Sequence, residues 1–182
     1  MTLVSASQKG REKVGVFQGW CSMKKPPGIR TAATRNLTVL SVSPNGEDCV
    51  ALERIFRESD WAVYTNSEWT LIASPTLASA SSILRDVTIP IVFCESDLLP
   101  GTWREMFEHI SLLPDPPFLI VTSRLADARL WAEALNLGAY DVLAKPFDAT
   151  EVIRIASLAW QHWLERHELH AKRTKQRKAA ET

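Results

Sequence analysis

Apolar residues recur along this chain in two rhythms that take turns, short runs of four to six and longer stretches spaced three or four apart. The first run, Asn36 to Ser43, reads as a strand; Pro44-Asn45-Gly46 stops it, and Cys49, Val50, Leu52, Ile55 and Phe56 follow at helical spacing. A second strand has two candidates, Trp61–Tyr64 and Trp69–Ala73. The later one is preferred because Pro75 then opens a helix carrying Leu77, Ala80, Ile83 and Leu84, which leaves the earlier one as an inserted loop. Strand three is read at Ile89–Cys94 with a helix from Trp103 to Ile110. Strand four is read at Phe118–Thr122, with a helix through Leu130, Ala134 and Leu137 that Gly138 ends. Strand five is Ala139–Leu143. A last helix starts near Ala149 and presents Val152, Ile153, Ala156, Ala159, Trp160, Trp163 and Leu164.

Five strand-helix units in strict alternation predict an α/β fold, a five-stranded parallel sheet with helices on both faces. Right-handed crossovers then favour the doubly wound, flavodoxin-like strand order 2-1-3-4-5, in which sites form at the carboxyl ends of the strands. In this chain those ends carry chemistry. Strand three runs into Cys94-Glu95, strand four into Thr122, and strand five into Ala144-Lys145-Pro146-Phe147-Asp148, so an acid, a hydroxyl and a lysine are expected to meet.

Charge divides the chain into three parts. Residues 1–35 hold seven Lys/Arg and one acid, residues 165–182 hold six and three, and the eight bases and seventeen acids between them leave an acidic middle. The expected organisation is therefore a poorly ordered basic extension over 1–34, one domain over 35–165 and a basic tail over 166–182. Met23 offers a second candidate start. The tail run Lys172-Arg173-Thr174-Lys175-Gln176-Arg177-Lys178 reads as a solvated segment rather than a nucleic-acid contact, and His162, His167 and His170 as a helix end rather than a metal set. Trp160 and Trp163 widen the apolar stripe of the last helix, which serves the core or a homodimer through the last helices. Cys21, Cys49 and Cys94 show no paired or metal spacing. No apolar stretch reaches membrane-spanning length, and a cytoplasmic protein is expected. Gly-x-Gly-x-x-Gly, Walker and Gly-x-Ser-x-Gly motifs are not found, so nothing points to an enzyme.

The ordered trio, together with Val121-Thr122-Ser123-Arg124, Leu137-Gly138-Ala139 and Leu143-Ala144-Lys145-Pro146-Phe147-Asp148, resembles the receiver domain of bacterial response regulators over about residues 36–164. In that family two acids after strand one hold magnesium, an aspartate after strand three accepts phosphate, a Thr or Ser after strand four reads it, and a Lys after strand five pairs with it. The resemblance implies Thr122 and Lys145 for the last two roles. It also implies losses: Ser43-Pro44 stand where the acidic pair is expected, and Glu95 stands at the acceptor position, or Ser96 if the alignment is anchored on Pro100. Asp97 is the alternative acceptor. Glu47 and Asp48 read as ordinary first-turn acids of a helix. The resemblance therefore implies a degenerate, stand-alone receiver without cofactor. Lys145 would pair with Glu95, and the chain would act through signalling partners such as a histidine kinase or an output protein. Magnesium would enter only if Asp97 accepts phosphate.

Overall fold

A computed structural model describes residues 35–59, 61 and 67–180. Five parallel strands, β1 (Arg35–Val42), β2 (Ser67–Ser74), β3 (Ile91–Glu95), β4 (Phe118–Ser123) and β5 (Asp141–Ala144), form one sheet in the order β2-β1-β3-β4-β5. Between and after them run α1 (Gly46–Glu58), α2 (Leu77–Asp86), α3 (Trp103–Ser111), α4 (Ala128–Leu137) and α5 (Ala149–Ala180). This is the doubly wound, flavodoxin-like topology expected from the alternation.

Helices α1 to α4 each start where a short polar side chain can take up an orphan amide. Asn45, Thr76, Thr102 and Asp127 cap them in turn by accepting from the backbone two or three residues on. Gly138 ends α4 at φ 107°, and a Cβ there would lie 2.9 Å from Phe107 Cζ, so both the backbone and the packing require glycine.

Right-handed crossovers place α1 and α5 on one face of the sheet and α2 to α4 on the other. Leu52, Phe56, Val152, Ile155, Ala156, Ala159 and Trp160 pack on the first face; Ala80, Leu84, Trp103, Met106, Ile110 and Ala134 pack on the second. All five residues of β3 are buried, as a central strand covered on both sides must be.

Three local expectations are corrected. Trp61, expected in an inserted loop, is 1% exposed and belongs to the core, edge-on to Phe56 with ring centroids 5.4 Å apart. Val50, expected in the apolar stripe of α1, is 63% exposed, because its position falls on the solvent side of the helix. The last helix does not fray near residue 165 but continues to Ala180. Contacts remote in sequence extend it: Arg166 donates to the Pro116 carbonyl and covers the Phe118 ring at 4.7 Å, while His167 lies 3.3 Å from Asp115 and stacks on Trp163. Trp160 is 3% exposed and donates its indole N–H to Ser67, and Trp163 stacks on it. His162 instead meets the Tyr140 hydroxyl at 2.9 Å. Residues 1–34, expected to form a basic extension, lie outside the described residues.

Candidate functional site

Strand ends that lie in register bring the polar groups together. Glu95 is the register partner of Thr122, and Thr122 of Leu143, two residues before Lys145. The ladder continues past the strands, with Ser96 N donating to Thr122 O at 2.8 Å and Lys145 N donating to Ser123 O at 2.9 Å. The backbone thereby fixes where the lysine side chain starts. It runs inward, and its ammonium group forms an ion pair with Glu95 Oε2 and a second, 2.6 Å long, with Asp48 Oδ2. All three side chains are about nine-tenths buried.

Asp48 is the member of the cluster that its local sequence disguises as an ordinary first-turn acid. Asn45 caps α1, so Asp48 occupies the third helical position, and side chains on a helix lean toward its N-terminus. That lean carries Asp48 back over the end of β1. There it accepts a 2.6 Å hydrogen bond from the Ser43 hydroxyl, while Ser43 Oγ accepts from Asn45 N at 3.2 Å. Ser43 therefore bears on the site through Asp48. Pro44 is exposed and supplies no side-chain polar group.

The hydroxyl side of the site also differs from expectation in its participants. Thr122 is 3% exposed beside Glu95, yet a chain of hydroxyl contacts runs through its neighbours: Ser96 Oγ donates to Ser123 Oγ at 2.9 Å, and Ser123 Oγ accepts from Leu125 N at 3.1 Å. Ser96 also reaches toward Glu95 Oε1 at 3.5 Å. Asp97 is exposed, and among the described residues it forms no ion pair with Lys145. The structure thus gathers Ser43, Glu95, Thr122 and Lys145 with Asp48, and leaves Asp97 outside the cluster.

Electrostatically the cluster is one ammonium between two carboxylates, a formal charge of −1 on side chains about nine-tenths buried. At these short separations and away from bulk water, each carboxylate's attraction to Lys145 is far stronger than between solvated ions. Behind the cluster, burial pushes the Cys94 thiol up to about 12, against a smaller downward pull from Lys145. Because this native value lies above that of an unfolded thiol, the neutral form and the stability it brings are retained at neutral pH. They are lost only as pH rises through the upper value. Titration of the native protein with a thiol-reactive chromophore at pH 8 is expected to leave Cys94 unmodified. Half-buried Cys49, raised by burial and then by Glu53 and Asp48, should react slowly, and denaturant should release both; rapid native labelling of Cys94 would contradict its burial.

A groove of about 1260 Å³, lined in part by Asp48 and Lys145 of the ion cluster, opens between α1 and α5. Its floor is Ala51, Ile55, Ile153 and Leu158, and exposed Arg54, Arg124 and Arg154 stand along it.

No protein-family model matches the chain, and no curated protein matches it. Solved structures do. The signal receiver domain of an HD-domain-containing protein from Pseudomonas fluorescens Pf-5 is 20% identical, with 76% of this chain and 97% of that one covered at a TM-score of 0.64. The Francisella response regulator 1452 receiver domain is 16% identical, covering 70% and 99% at a TM-score of 0.58. The chemotaxis response regulator CheY4 of Vibrio cholerae is 10% identical, covering 68% and 98% at a TM-score of 0.57. At these identities the likeness is one of fold: the described domain has the architecture of CheY-like receiver domains.

Proposed function

We propose that this chain is an atypical receiver-like signalling protein of the two-component type, working by contact with other proteins and not by accepting phosphate. The observation that carries the reading is the Lys145 ammonium held between Glu95 and Asp48. Phosphoryl transfer to a carboxylate needs a metal cation to neutralise the charge that builds on the transferred group. The residues here do not fit one. The two carboxylates that could bind magnesium are both engaged by Lys145, and the Ser43 hydroxyl spends its proton on Asp48. Opening the site to a divalent ion would mean breaking a buried ion cluster, at a cost of several kcal/mol.

Glu95, one methylene longer than aspartate, supports the same reading, because its carboxylate lies where Lys145 can hold it in place of a phosphoryl group. Asp97 as an alternative acceptor draws less support, being exposed and outside that lysine's ion pairs. The surface beside the cluster suits a protein partner, a histidine kinase or an output protein, since the α1–α5 groove joins an apolar floor to charges of both signs, Arg54, Arg124 and Arg154 with Glu47 and Glu58. A homodimer through the last helices has less behind it, because Trp160 and Trp163 are stacked on the chain's own residues. On this reading the chain is a binding protein rather than an enzyme, and it works in the cytoplasm, where Cys49 and Cys94 stay reduced.

Tryptophan fluorescence during magnesium titration with beryllofluoride is expected to give no saturable change. Acetyl phosphate with magnesium should add no phosphoryl mass. A saturable response, or a mass shift that Asp97→Asn abolishes, would replace this function with the phosphate-accepting one.

A further inference from the structure

Helix α4 covers the sheet with one side and leaves an apolar stripe on the other. Leu130, Trp131 and Ala134 pack toward the core, and Glu133, on the flank toward α3, is tied to Arg104. Leu125 just before the helix and Ala128, Ala132 and Leu135 along it are exposed, the two leucines at 80% and 47%. Single exposed apolar residues are ordinary on a protein surface. A row of four at spacings of three, four and three lies on one helical face and marks a contact surface.

The order of the residues says what fits there. From Leu125 to Leu135 the chain reads Leu-Ala-Asp-Ala-Arg-Leu-Trp-Ala-Glu-Ala-Leu, nearly the same in either direction about Leu130. Leucine answers leucine at 125 and 135, alanine answers alanine at 126 and 134 and again at 128 and 132, and an acid answers an acid at 127 and 133. A helix face that is its own reverse is complementary to a second copy laid antiparallel across it, because a twofold axis level with Leu130 sets each position opposite its counterpart.

We infer that the exposed face of α4 is a self-association site, at which the α4 helices of two copies of this chain pack antiparallel about that axis. Ala128 of each copy lies level with Ala132 of the other, and side chains that end at Cβ let the two helices approach closely. Leu135 of each copy reaches Leu125 of the other, so all four leucines leave water at the two ends of the contact. Under the twofold, each flank of the helix meets the same flank of the second copy. Arg129, exposed and without an ion pair among the described residues, then comes within one turn of Glu133 of the second copy. On the other flank the half-buried Trp131 side chains of the two copies meet. The acids that fall level are already engaged within their own chain, Asp127 by the Leu130 amide and Glu133 by Arg104. Antiparallel packing also sets the negative end of each helix dipole beside the positive end of the other. Association of this kind needs only the face of α4 and is independent of what the strand-end pocket does.

Light scattering coupled to size exclusion, on the full chain at high micromolar concentration, is expected to give the mass of two chains. Ala132→Glu, which keeps a good helix former at an exposed position, should return the mass of one chain with an unchanged circular dichroism spectrum. Chains carrying Ala128→Cys and chains carrying Ala132→Cys, mixed and mildly oxidised, should cross-link to each other, whereas Val50→Cys chains, altered on the exposed side of α1, should not. A single-chain mass for the unaltered protein overturns the inference. So does a two-chain mass that Ala132→Glu leaves intact, which would place the contact elsewhere. If Ala132→Glu fails to fold, the mixed cross-link decides, and its absence also overturns the inference.

Discussion

Replacing Lys145 with methionine is expected to destabilise the domain by about 3–5 kcal/mol, the cost of leaving buried charge without its counter-ion. The substitution keeps most of the side-chain volume, so the loss comes from charge. Glu95 and Asp48, both about nine-tenths buried, would face each other with no cation between them. Urea unfolding of the single variant, and of a triple variant that adds Glu95→Gln and Asp48→Asn, separates charge from packing. The triple variant should recover most of the loss, since removing all the charges together removes the uncompensated ones. A loss for Lys145→Met below about 1 kcal/mol would mean that the cluster behaves as a solvated surface pair, and the proposed function would lose its support.

The second large effect is expected on the opposite side of the sheet from α2 to α4, in the aromatic cluster beneath α1. Phe56 is 1% exposed and touches three rings, with centroids 5.4 Å from Trp61, 5.5 Å from Trp69 and 6.4 Å from Phe93. Phe56→Ala deletes the ring that all three share and leaves a cavity that Trp61 and Trp69 cannot both fill. The expected cost is about 3–5 kcal/mol, which for a domain of this size lowers the melting temperature by roughly 10 °C or more. Calorimetry checks it directly. A change within about 1 kcal/mol would show that the rings repack around the gap.

The alternation of five apolar runs with five helical stripes is enough to read the topology, because a parallel sheet covered on both faces leaves little freedom in where each run can lie. Reading the site takes more than strand ends. The rule that acids favour helix starts accounts for Asp48 without the site; the step it omits is to count from the Asn45 cap and ask where a third-position side chain leans. Lys145 gives a further clue, since a lysine buried at a strand end needs carboxylate partners, and a single glutamate leaves room for a second. Trp61 is illegible for a different reason. It opens the short run Trp61–Tyr64, and nothing in that local pattern says that its ring will pack edge-on against Phe56. The continuation of α5 depends on Asp115, Pro116 and Phe118, some fifty residues earlier, and no local rule of helix ending could include them.

That continuation has a geometric consequence. Helix α5 begins just after Lys145 and runs back past the starting ends of the strands for 32 residues, roughly 48 Å at the rise of an α-helix. Its clamped midsection makes it a strut and not a tether. The helix backbone therefore leads the sequence from Lys172 onward away from the ion cluster by far more than the screening length at physiological salt. A change of charge at one of these places is therefore not felt at the other through screened electrostatics alone.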